Sequence, residues 1–171
     1  MNLIVIPWTP TIRRYAPGEE PALWHVYVEA TWQCISRDYH PDLCERWAPH
    51  NKDMSEWAAR LGEKNPWVAV VDGAVVAFAE LEPDGHIDYF YGLPEWQGPG
   101  IGKVLLRRVE EDAKQSGLTR LFAEVSITAK GFFLAQGFVV AEARHNVIQG
   151  YPAPTFFMEK RLGREEATVP T

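Results

Sequence analysis

Residues 97–103 read Gln97-Gly98-Pro99-Gly100-Ile101-Gly102-Lys103, and they connect a strand-like apolar run at 86–93 to a helix-like run at 103–116. Glycine adopts positive φ angles and lets the backbone approach a ligand closely. A glycine-rich turn that opens directly into a helix points several N–H groups at one place, where the helix dipole adds partial positive charge. The segment therefore predicts a site for a phosphate or pyrophosphate group, and the alternative is a plain strand-to-helix connection.

Other phosphate-binding loops match this stretch less well. The P-loop pattern requires Ser or Thr after Gly-Lys, whereas Val104 follows Lys103 here. The dinucleotide fingerprint G-x-G-x-x-G requires its third glycine one residue further along than Gly102. The spacing that does fit is Gln-x-x-Gly-x-Gly.

That pattern at 97–102 resembles the acyl-CoA pyrophosphate loop of the GNAT superfamily of N-acetyltransferases. The residues at 94–96 (Pro-Glu-Trp) stand where the family has a Pro-x-aromatic approach to the loop. The stretch 126–138 resembles the second family signature, Asn-x-x-Ala-x-x-x-Tyr-x-x-x-Gly-Phe. Two positions differ, because Ser126 replaces the usual Asn and Phe133 replaces the usual Tyr.

Composition limits the class of protein. The 171 residues are enough for one domain with a substantial core. A net charge of −6 gives no basic surface for nucleic acid, and no apolar run approaches the ~20 residues that span a bilayer. The short apolar run at 3–6 lacks the charged start of a signal peptide. The only cysteines, Cys34 and Cys44, predict reduced thiols in a cytoplasmic protein.

Hydrophobic periodicity and turn residues predict the order of the elements. Strands are expected at 11–15, 67–71, 74–81, 86–93, 121–125, 138–143 and 155–160, and helices at 22–36, 41–47, 56–61, 103–116 and 128–136. Asp72-Gly73 predicts a tight hairpin, and Ser55 is the expected cap of the third helix. Residues 1–10 form an extension and 163–171 a polar tail of a single domain over 1–171.

This order predicts an α/β fold with a central, mostly antiparallel mixed sheet and helices on both faces. The resemblance to GNAT enzymes implies in addition that the fourth and fifth strands splay apart. It also implies that acyl-CoA enters the gap between those strands.

The resemblance implies a site for acetyl-CoA as cofactor. The backbone amides of 98–103 would hold the pyrophosphate, and the backbone of 90–93 would contact the pantetheine arm and polarise the thioester carbonyl. The implied residues are Phe90, Tyr91, Gly92, Leu93, Gln97, Gly98, Pro99, Gly100, Ile101, Gly102, Lys103, Ser126 and Phe133.

Ser126 and Phe133 each have a second interpretation. Ser126 fits equally well as the N-cap of the following helix. Phe133 has no proton donor and fits best as a core residue beside Phe132 and Phe138. A water, Ser126 or Tyr151 would then protonate the departing thiolate.

An amine acceptor must lose a proton before it attacks, so the reaction needs a general base near the gap. The candidates are Glu80, His86 and Asp88, with Glu124 beside the gap. Strand alternation predicts that His86, Asp88 and Phe90 share one face. Asp88 lies within an otherwise apolar strand, where an unpaired carboxylate is costly, so it is expected to be either paired or functional.

The acceptor pocket is expected among the aromatic residues of the first helices and the loop at 150–154. Trp32, Tyr39, Trp47 and Tyr151 are its candidates, and the alternative for each is an ordinary core position. His40 and Cys44 lie four residues apart, but no third ligand is nearby, so no metal site is expected.

The sequence as a whole predicts an N-acetyltransferase that moves an acetyl group from acetyl-CoA to a primary amine by direct attack in a ternary complex. The alternative is a non-catalytic acyl-CoA-binding module, which Phe133 favours. The expected partner is a small-molecule or protein amine, with no nucleic acid and no membrane. A homodimer is possible through pairing of the strand at 155–160 across chains.

Overall fold

The computed structural model describes residues 9–98 and 100–163. The helices are α1 (Glu20–Gln33), α2 (Pro41–Trp47), α3 (Met54–Lys64), α4 (Ile101–Gln115) and α5 (Ile127–Ala135), with 3-10 turns at Ile35–Arg37 and Pro94–Trp96. The strands are β1 (Thr11–Arg14), β2 (Trp67–Val71), β3 (Ala74–Leu81), β4 (Ile87–Gly92), β5 (Arg120–Ser126), β6 (Val139–Arg144), β7 (Val147–Ile148), β8 (Tyr151–Pro152) and β9 (Thr155–Arg161). The predicted terminal extension and tail lie almost entirely outside the described residues.

The first four strands form an antiparallel sheet in the order β1-β2-β3-β4. Its central hairpin turns at Asp72 and Gly73, which both have positive φ angles, 49° and 81°. Two successive positive φ angles are typical of the tight turns that match the twist of a β-hairpin. The predicted meander of strands at 67–71, 74–81 and 86–93 is thereby confirmed to within a residue at each end.

A β-bulge interrupts the pairing of β3 with β4. Ala79 lies opposite Phe90 and Leu81 lies opposite Ile87, so the single residue Glu80 faces two residues, Asp88 and Tyr89. A bulge of this kind places adjacent side chains on the same side of the sheet. The prediction that Asp88 and Phe90 share one face is therefore wrong, because strict alternation fails where the extra residue is inserted.

The C-terminal strands form a second antiparallel sheet in the order β5-β9-β6. Strand β9 is its central strand and pairs with β5 on one side and β6 on the other. The expected exposed edge at 155–160 is therefore wrong, because both edges of that strand are already paired within the chain.

The two sheets meet where β4 begins and then separate. His86 and Phe122 form an isolated parallel bridge, and Phe122 N–H donates to Gly85 O at 3.0 Å. Beyond this contact β4 and β5 diverge, in agreement with the splay that the resemblance implied. The fold is the expected mixed α/β arrangement, with sheets that are antiparallel apart from this bridge.

Helices cover both faces of the first sheet. On one face, α4 packs over Trp67, whose Nε1–H donates to Asp112 Oδ2 at 2.9 Å. On the other face, α1 and α3 pack through Tyr27 against Tyr91 and through Trp57 against Phe78. Apolar side chains from both faces and both sheets join in one core, which includes Val26, Leu61, Leu105 and Met158. No helix within 9–98 and 100–163 is long and apolar enough to cross a membrane.

Helix α2 has the predicted boundaries, whereas the other four helices begin one or two residues earlier than predicted and differ by one to three residues at their C-terminal ends. Helix α3 begins at Met54 rather than Glu56, and its cap is Asp53, whose Oδ1 accepts from Ser55 N at 2.8 Å. Ser55 is therefore not the cap. Either residue type can cap a helix, so the local pattern did not separate the two positions.

Gly85 is the position at which the contact between the sheets excludes any side chain. Its φ is +96°, and an added Cβ would lie 2.3 Å from Arg120 O. Gly73 has a similar φ of +81°, with nothing within 4 Å of an added Cβ.

We expect Gly73→Ala to lower the free energy of unfolding by about 1 kcal/mol through backbone strain alone. We expect Gly85→Ala to lower it by at least about 2 kcal/mol more, because the β5 backbone must also move. Urea denaturation of both variants measures the difference, and equal losses would contradict this role of Gly85.

Candidate active site between the two sheets

The gap between β4 and β5 holds a cavity of about 840 Å³. Its walls come from α1, β4, the loop before α4, the first turn of α4, β5 and α5. Most of the residues expected to bind the cofactor line it: Phe90, Tyr91, Gly92, Gln97, Gly98, Gly100, Ile101, Gly102, Lys103, Ser126 and Phe133. Leu93 is buried beside it, and Pro99 lies outside the described residues. The tertiary structure thus collects residues that are spread over about 40 positions of sequence.

The glycine-rich loop forms an open cradle at the N-terminus of α4. Gly98 and Gly100 have φ angles of +110° and +100°, and nothing lies within 4 Å of an added Cβ at either position. No side chain among the described residues caps this 15-residue helix, so its first N–H groups are directed at the cavity. Gly102 has a different constraint, because an added Cβ would lie 3.0 Å from the Phe132 ring. These features fit a pyrophosphate, whose charge matches the helix dipole.

The end of β4 presents its backbone to the gap. Leu93 N–H donates to Val76 O at 2.8 Å, so it faces β3. Because backbone groups alternate sides along a strand, Phe90 and Gly92 direct their N–H and C=O groups toward the gap. Gly92 O already accepts from Gln97 Nε2 at 2.9 Å, and Gln97 Oε1 accepts from Cys34 Sγ at 3.5 Å. The sequence carried no signal for this link between α1, β4 and the loop.

The α5 side of the cavity contains the two positions that depart from the family signature. Ser126 caps α5, since its Oγ accepts from Ala129 N at 3.1 Å, and it also lines the cavity. The two interpretations of Ser126 are therefore compatible. Phe133 is 3% exposed and packs edge-on against Phe90 and Phe138, as expected for a core residue that also forms part of the cavity wall.

The candidate general bases occupy different environments. Asp88 and Glu124 line the cavity from opposite sides of the gap, whereas the lining residues described do not include Glu80 or His86. Both Glu124 oxygens are engaged, by Arg144 at 2.6 Å and by the Thr155 hydroxyl. His86 stacks on Phe122 and lies 3.1 Å from Glu82 Oε2.

Glu80 and Asp88 share one arginine across the β-bulge. Arg60 Nη2 donates to Glu80 Oε2 at 2.6 Å and to Asp88 Oδ2 at 2.5 Å. Glu80 has no exposed surface, whereas the Asp88 side chain is 30% exposed. Burial raises the pKa of the Glu80 carboxyl, and the nearby Asp88 charge adds to this effect. The favourable charges of Arg60 and Lys64 offset only part of the increase.

The expected acceptor residues divide into two groups. Tyr39 and Trp47 line the cavity, and Tyr39 O–H donates to Pro154 O at 2.6 Å while accepting from Ile127 N at 2.8 Å. Trp32 and Tyr151 are not among the lining residues described. Trp32 Nε1–H donates to Ala48 O, and Tyr151 O–H donates to Asp42 Oδ2.

Three further tyrosines line the cavity. Tyr27, Tyr89 and Tyr91 pack against one another with ring centroids 4.7–5.6 Å apart. Tyr27, on α1, is only 5% exposed. Their convergence depends on the packing of α1 on β4, which the sequence does not show.

Neither cysteine takes part in a disulfide, because Cys34 and Cys44 are both buried free thiols. His40 caps α2 through Nδ1 and stacks on Tyr151. In the ranges 9–98 and 100–163, no group of three or more His, Cys, Asp or Glu side chains is arranged to hold a metal ion.

Comparison with known proteins assigns the family. Residues 35–152 match the sequence profile described as the acetyltransferase (GNAT) domain. The chain belongs to the GNAT acetyltransferases. These enzymes take their acetyl group from acetyl-CoA, so this GNAT protein is an acetyl-CoA-dependent acyltransferase.

Individual relatives agree with the assignment. The peptidyl-lysine N-acetyltransferase YjaB of Salmonella typhimurium is 31% identical over 82% of this chain and 90% of its own. A GCN5-related N-acetyltransferase from Rhodopseudomonas palustris superposes with a TM-score of 0.82 and 31% identity, covering 90% of this chain and 96% of its own. The PaiA N-acetyltransferase of Thermoplasma acidophilum, solved with coenzyme A, shares the fold at 21% identity and a TM-score of 0.72, covering 90% and 99%.

The raised pKa of Glu80 predicts a specific dependence of stability on pH. The unfolded carboxyl has a pKa of about 4.3. A carboxyl group whose pKa is higher in the folded state than in the unfolded state stabilises the fold at low pH. That stabilisation is lost as the pH rises through the folded pKa. We therefore expect the wild type to lose free energy of unfolding relative to Glu80→Gln between about pH 4 and pH 7.

Glu82→Gln is the matched control for this measurement. The pKa of Glu82 is lowered by the hydrogen bond from Lys64, so its contribution is present above the unfolded pKa and is lost on acidification. The gap between wild type and Glu82→Gln should therefore widen with rising pH, opposite to the Glu80 series. Thermal unfolding at several pH values tests both signs, and parallel trends would contradict the assignment for Glu80.

Proposed function

We propose that the protein transfers an acetyl group from acetyl-CoA to a primary amine by direct attack, with Asp88 as the general base. The observation that carries this proposal is the position of Asp88. It lines the cavity, and its Oδ1 has no partner among the residues described, whereas Glu124 has both oxygens engaged and Glu80 has no exposed surface. Asp88 is thus the best placed of the candidate carboxylates to accept a proton in the gap.

The donor is held by backbone rather than by side chains. The N–H groups of Gly98 and of residues 100–103 receive the pyrophosphate, and the exposed Lys103 adds a positive charge at the same end. The backbone groups of Phe90 and Gly92 that face the gap contact the pantetheine arm, and an N–H there polarises the thioester carbonyl. Acetyl-CoA, when bound, supplies the acetyl group as a thioester, whose thiolate is a good leaving group.

Asp88 and the neighbouring polar groups account for the protons. The acceptor enters as an ammonium, and Asp88 Oδ1 takes one proton and passes it to water. The amine nitrogen then forms the N–C bond while the C–S bond breaks and its electron pair leaves on sulfur. Of the two protons left on the attacking nitrogen, one stays on the amide product and the other neutralises the thiolate, through the Ser126 hydroxyl or a water, because Phe133 cannot donate. Tyr151 is not needed for this step, since its O–H already donates to Asp42.

The acceptor is proposed to be a primary amine on a small molecule or a protein. Asp88 and Glu124 face the cavity from opposite sides, and tyrosine and tryptophan rings line its acceptor end, a combination that favours a cation. The similarity to a peptidyl-lysine acetyltransferase is consistent with this class. A cytoplasmic location and a homodimer remain predictions from the sequence.

Amine-dependent release of coenzyme A tests the proposed acceptor class. An enzyme that acetylates a primary amine releases coenzyme A thiol at a rate that depends on the added amine. A panel of spermidine, kanamycin and a lysine-containing peptide, followed with a thiol reagent, measures this rate. Thiol release that no amine accelerates would contradict the proposed acceptor.

Gly100→Asp tests the loop. The new carboxylate would stand in the open cradle opposite the pyrophosphate, so we expect acetyl-CoA affinity to fall by at least about 100-fold. Gly117→Asp at the other end of α4 is the control, because Gly117 also has a positive φ of +78° and open space around an added Cβ. Isothermal titration with acetyl-CoA compares the two. Normal binding by a folded Gly100→Asp protein would remove the pyrophosphate assignment.

Asp88→Asn tests the base. We expect amine-dependent thiol release to fall by about 100-fold or more, while the affinity for acetyl-CoA stays within about twofold. Glu82→Gln is the control, since Glu82 lies near the same end of the sheet but binds Lys64 and His86. Steady-state kinetics and calorimetry give the two readouts, and an Asp88→Asn enzyme with wild-type turnover would exclude Asp88 as the base.

A further inference from the structure

Glu80 is a buried carboxylate to which the proposed reaction assigns no part. It has no exposed surface, so it cannot touch a substrate, yet it lies one hydrogen bond from the arginine that binds Asp88. A carboxylate in the interior is costly unless it is fully paired. Here the pairing is incomplete, since Glu80 Oε1 and Arg60 Nε are buried with no hydrogen-bond partner in the part of the chain described.

The charges of this cluster do not balance. Two carboxylates, Glu80 and Asp88, share a single guanidinium nitrogen, Arg60 Nη2, at 2.6 and 2.5 Å. With both carboxylates ionised, the cluster carries one excess negative charge next to the cavity. Burial raises the cost of ionising Glu80, and the nearby Asp88 charge raises it further.

The surroundings keep the three side chains together. The Arg60 guanidinium lies over the Tyr89 ring, 4.3 Å from its centroid, which fixes its position on the bulge. Lys64, one turn further along α3, is bound to Glu82. Its positive charge therefore offsets the negative charge of the cluster only from a distance. Among the residues described, Tyr89 and Tyr91 on β4 interact with the charges of the cluster, and Tyr27 on α1 packs against both of their rings. Burial raises the pKa of all three tyrosines, so they stay neutral.

We propose that Glu80 is a positioning residue that acts on Asp88 through the shared Arg60, and that Glu80 and Asp88 take up the proton of the acceptor amine as one coupled unit. The inference rests on the proposed function, in which Asp88 contacts the amine. Arg60 binds Asp88 Oδ2 and leaves Oδ1 without a partner among the residues described, and Asp88 lines the cavity. Because Arg60 also binds Glu80, its positive charge is shared between the two carboxylates. The proton leaves the amine nitrogen, resides on the pair and passes to water.

Two charge variants with opposite expected effects test the coupling. Glu80→Gln removes a negative charge, so the acidic midpoint of the kcat profile should move to lower pH by about one unit. Arg60→Met removes the shared positive charge, so the same midpoint should move to higher pH by about one unit or more. All variants are measured with the amine of the panel that gives the fastest thiol release. A side chain with only a structural role would lower kcat in both variants without moving the midpoint.

Glu82→Gln and acetyl-CoA affinity serve as controls. Glu82 does not contact Arg60, so its loss should leave the midpoint within about 0.2 pH units. Glu80→Gln should bind acetyl-CoA with wild-type affinity, since Glu80 is not among the cavity-lining residues described. Midpoints that stay unchanged, or move in the same direction in Glu80→Gln and Arg60→Met, would overturn the proposal.

A second measurement needs neither an acceptor nor a Glu80 variant. Carbon NMR of labelled carboxyl groups follows the titration of Glu80 in the wild type and in Asp88→Asn. Coupling predicts that the Glu80 midpoint falls in Asp88→Asn, because the repelling charge is gone. An unchanged midpoint would overturn the proposal even if the enzyme is active. Absence of thiol release with every amine, alongside a shifted midpoint, would instead count against the proposed function.

Discussion

The separation of β4 from β5 is the constraint on which the rest of the structure depends. The two strands touch where Phe122 N–H donates to Gly85 O, and there the β5 backbone leaves no room for a Cβ on Gly85. Past this point, within the residues described, each of the two strands has one edge without a partner strand. Unpaired backbone groups need other partners, which a ligand bound in the gap can supply. The cavity of about 840 Å³ is the direct result.

The bulge in β4 determines which chemistry faces that cavity. The bulge places Asp88 and Tyr89 opposite Glu80, so the Asp88 carboxylate lies on the side of the sheet that α3 covers. Strict strand alternation would direct this carboxylate to the other side. Arg60 can then bind both acids from one nitrogen. An acid pair with one buried member and one shared cation adds little net stability, because the desolvation of the charges offsets their attraction. The proposed role in proton transfer gives such a cluster a function other than stability.

In the proposed function, the donor and the acceptor are bound by different means. The proposed donor site consists of the glycine backbone and helix N–H groups, which depend little on side-chain identity. The proposed acceptor site consists of aromatic rings and carboxylates from four separate elements, α1, α2, β4 and β5. Local backbone geometry can be kept while side chains change, so relatives of this fold can share a donor and differ in acceptor.

The sequence alone was sufficient for the family, the order of the main helices and strands and the glycine-rich turn before α4, but it did not predict the short strands β7 and β8. These features are local, because the conformation at Gly98 and Gly100 and the start of α4 depend on neighbouring residues. Most of the residues expected at the donor site do line the cavity, although their roles remain predictions. Ser126 and Phe133 were interpreted correctly as a cap and a buried residue for the same reason.

Tertiary structure decided the rest. The partner of Asp88 is 28 residues away on α3, and no periodicity in β4 reveals it. The bulge comes from the register between β3 and β4, and the central place of β9 comes from the order of strands in the second sheet. The sequence does not distinguish Trp32 and Tyr151 from Tyr39 and Trp47. The tertiary packing places Tyr39 and Trp47 at the cavity wall, whereas Trp32 and Tyr151 are not among the lining residues described. Contacts between distant segments are set by the global free energy of packing, which local patterns do not encode.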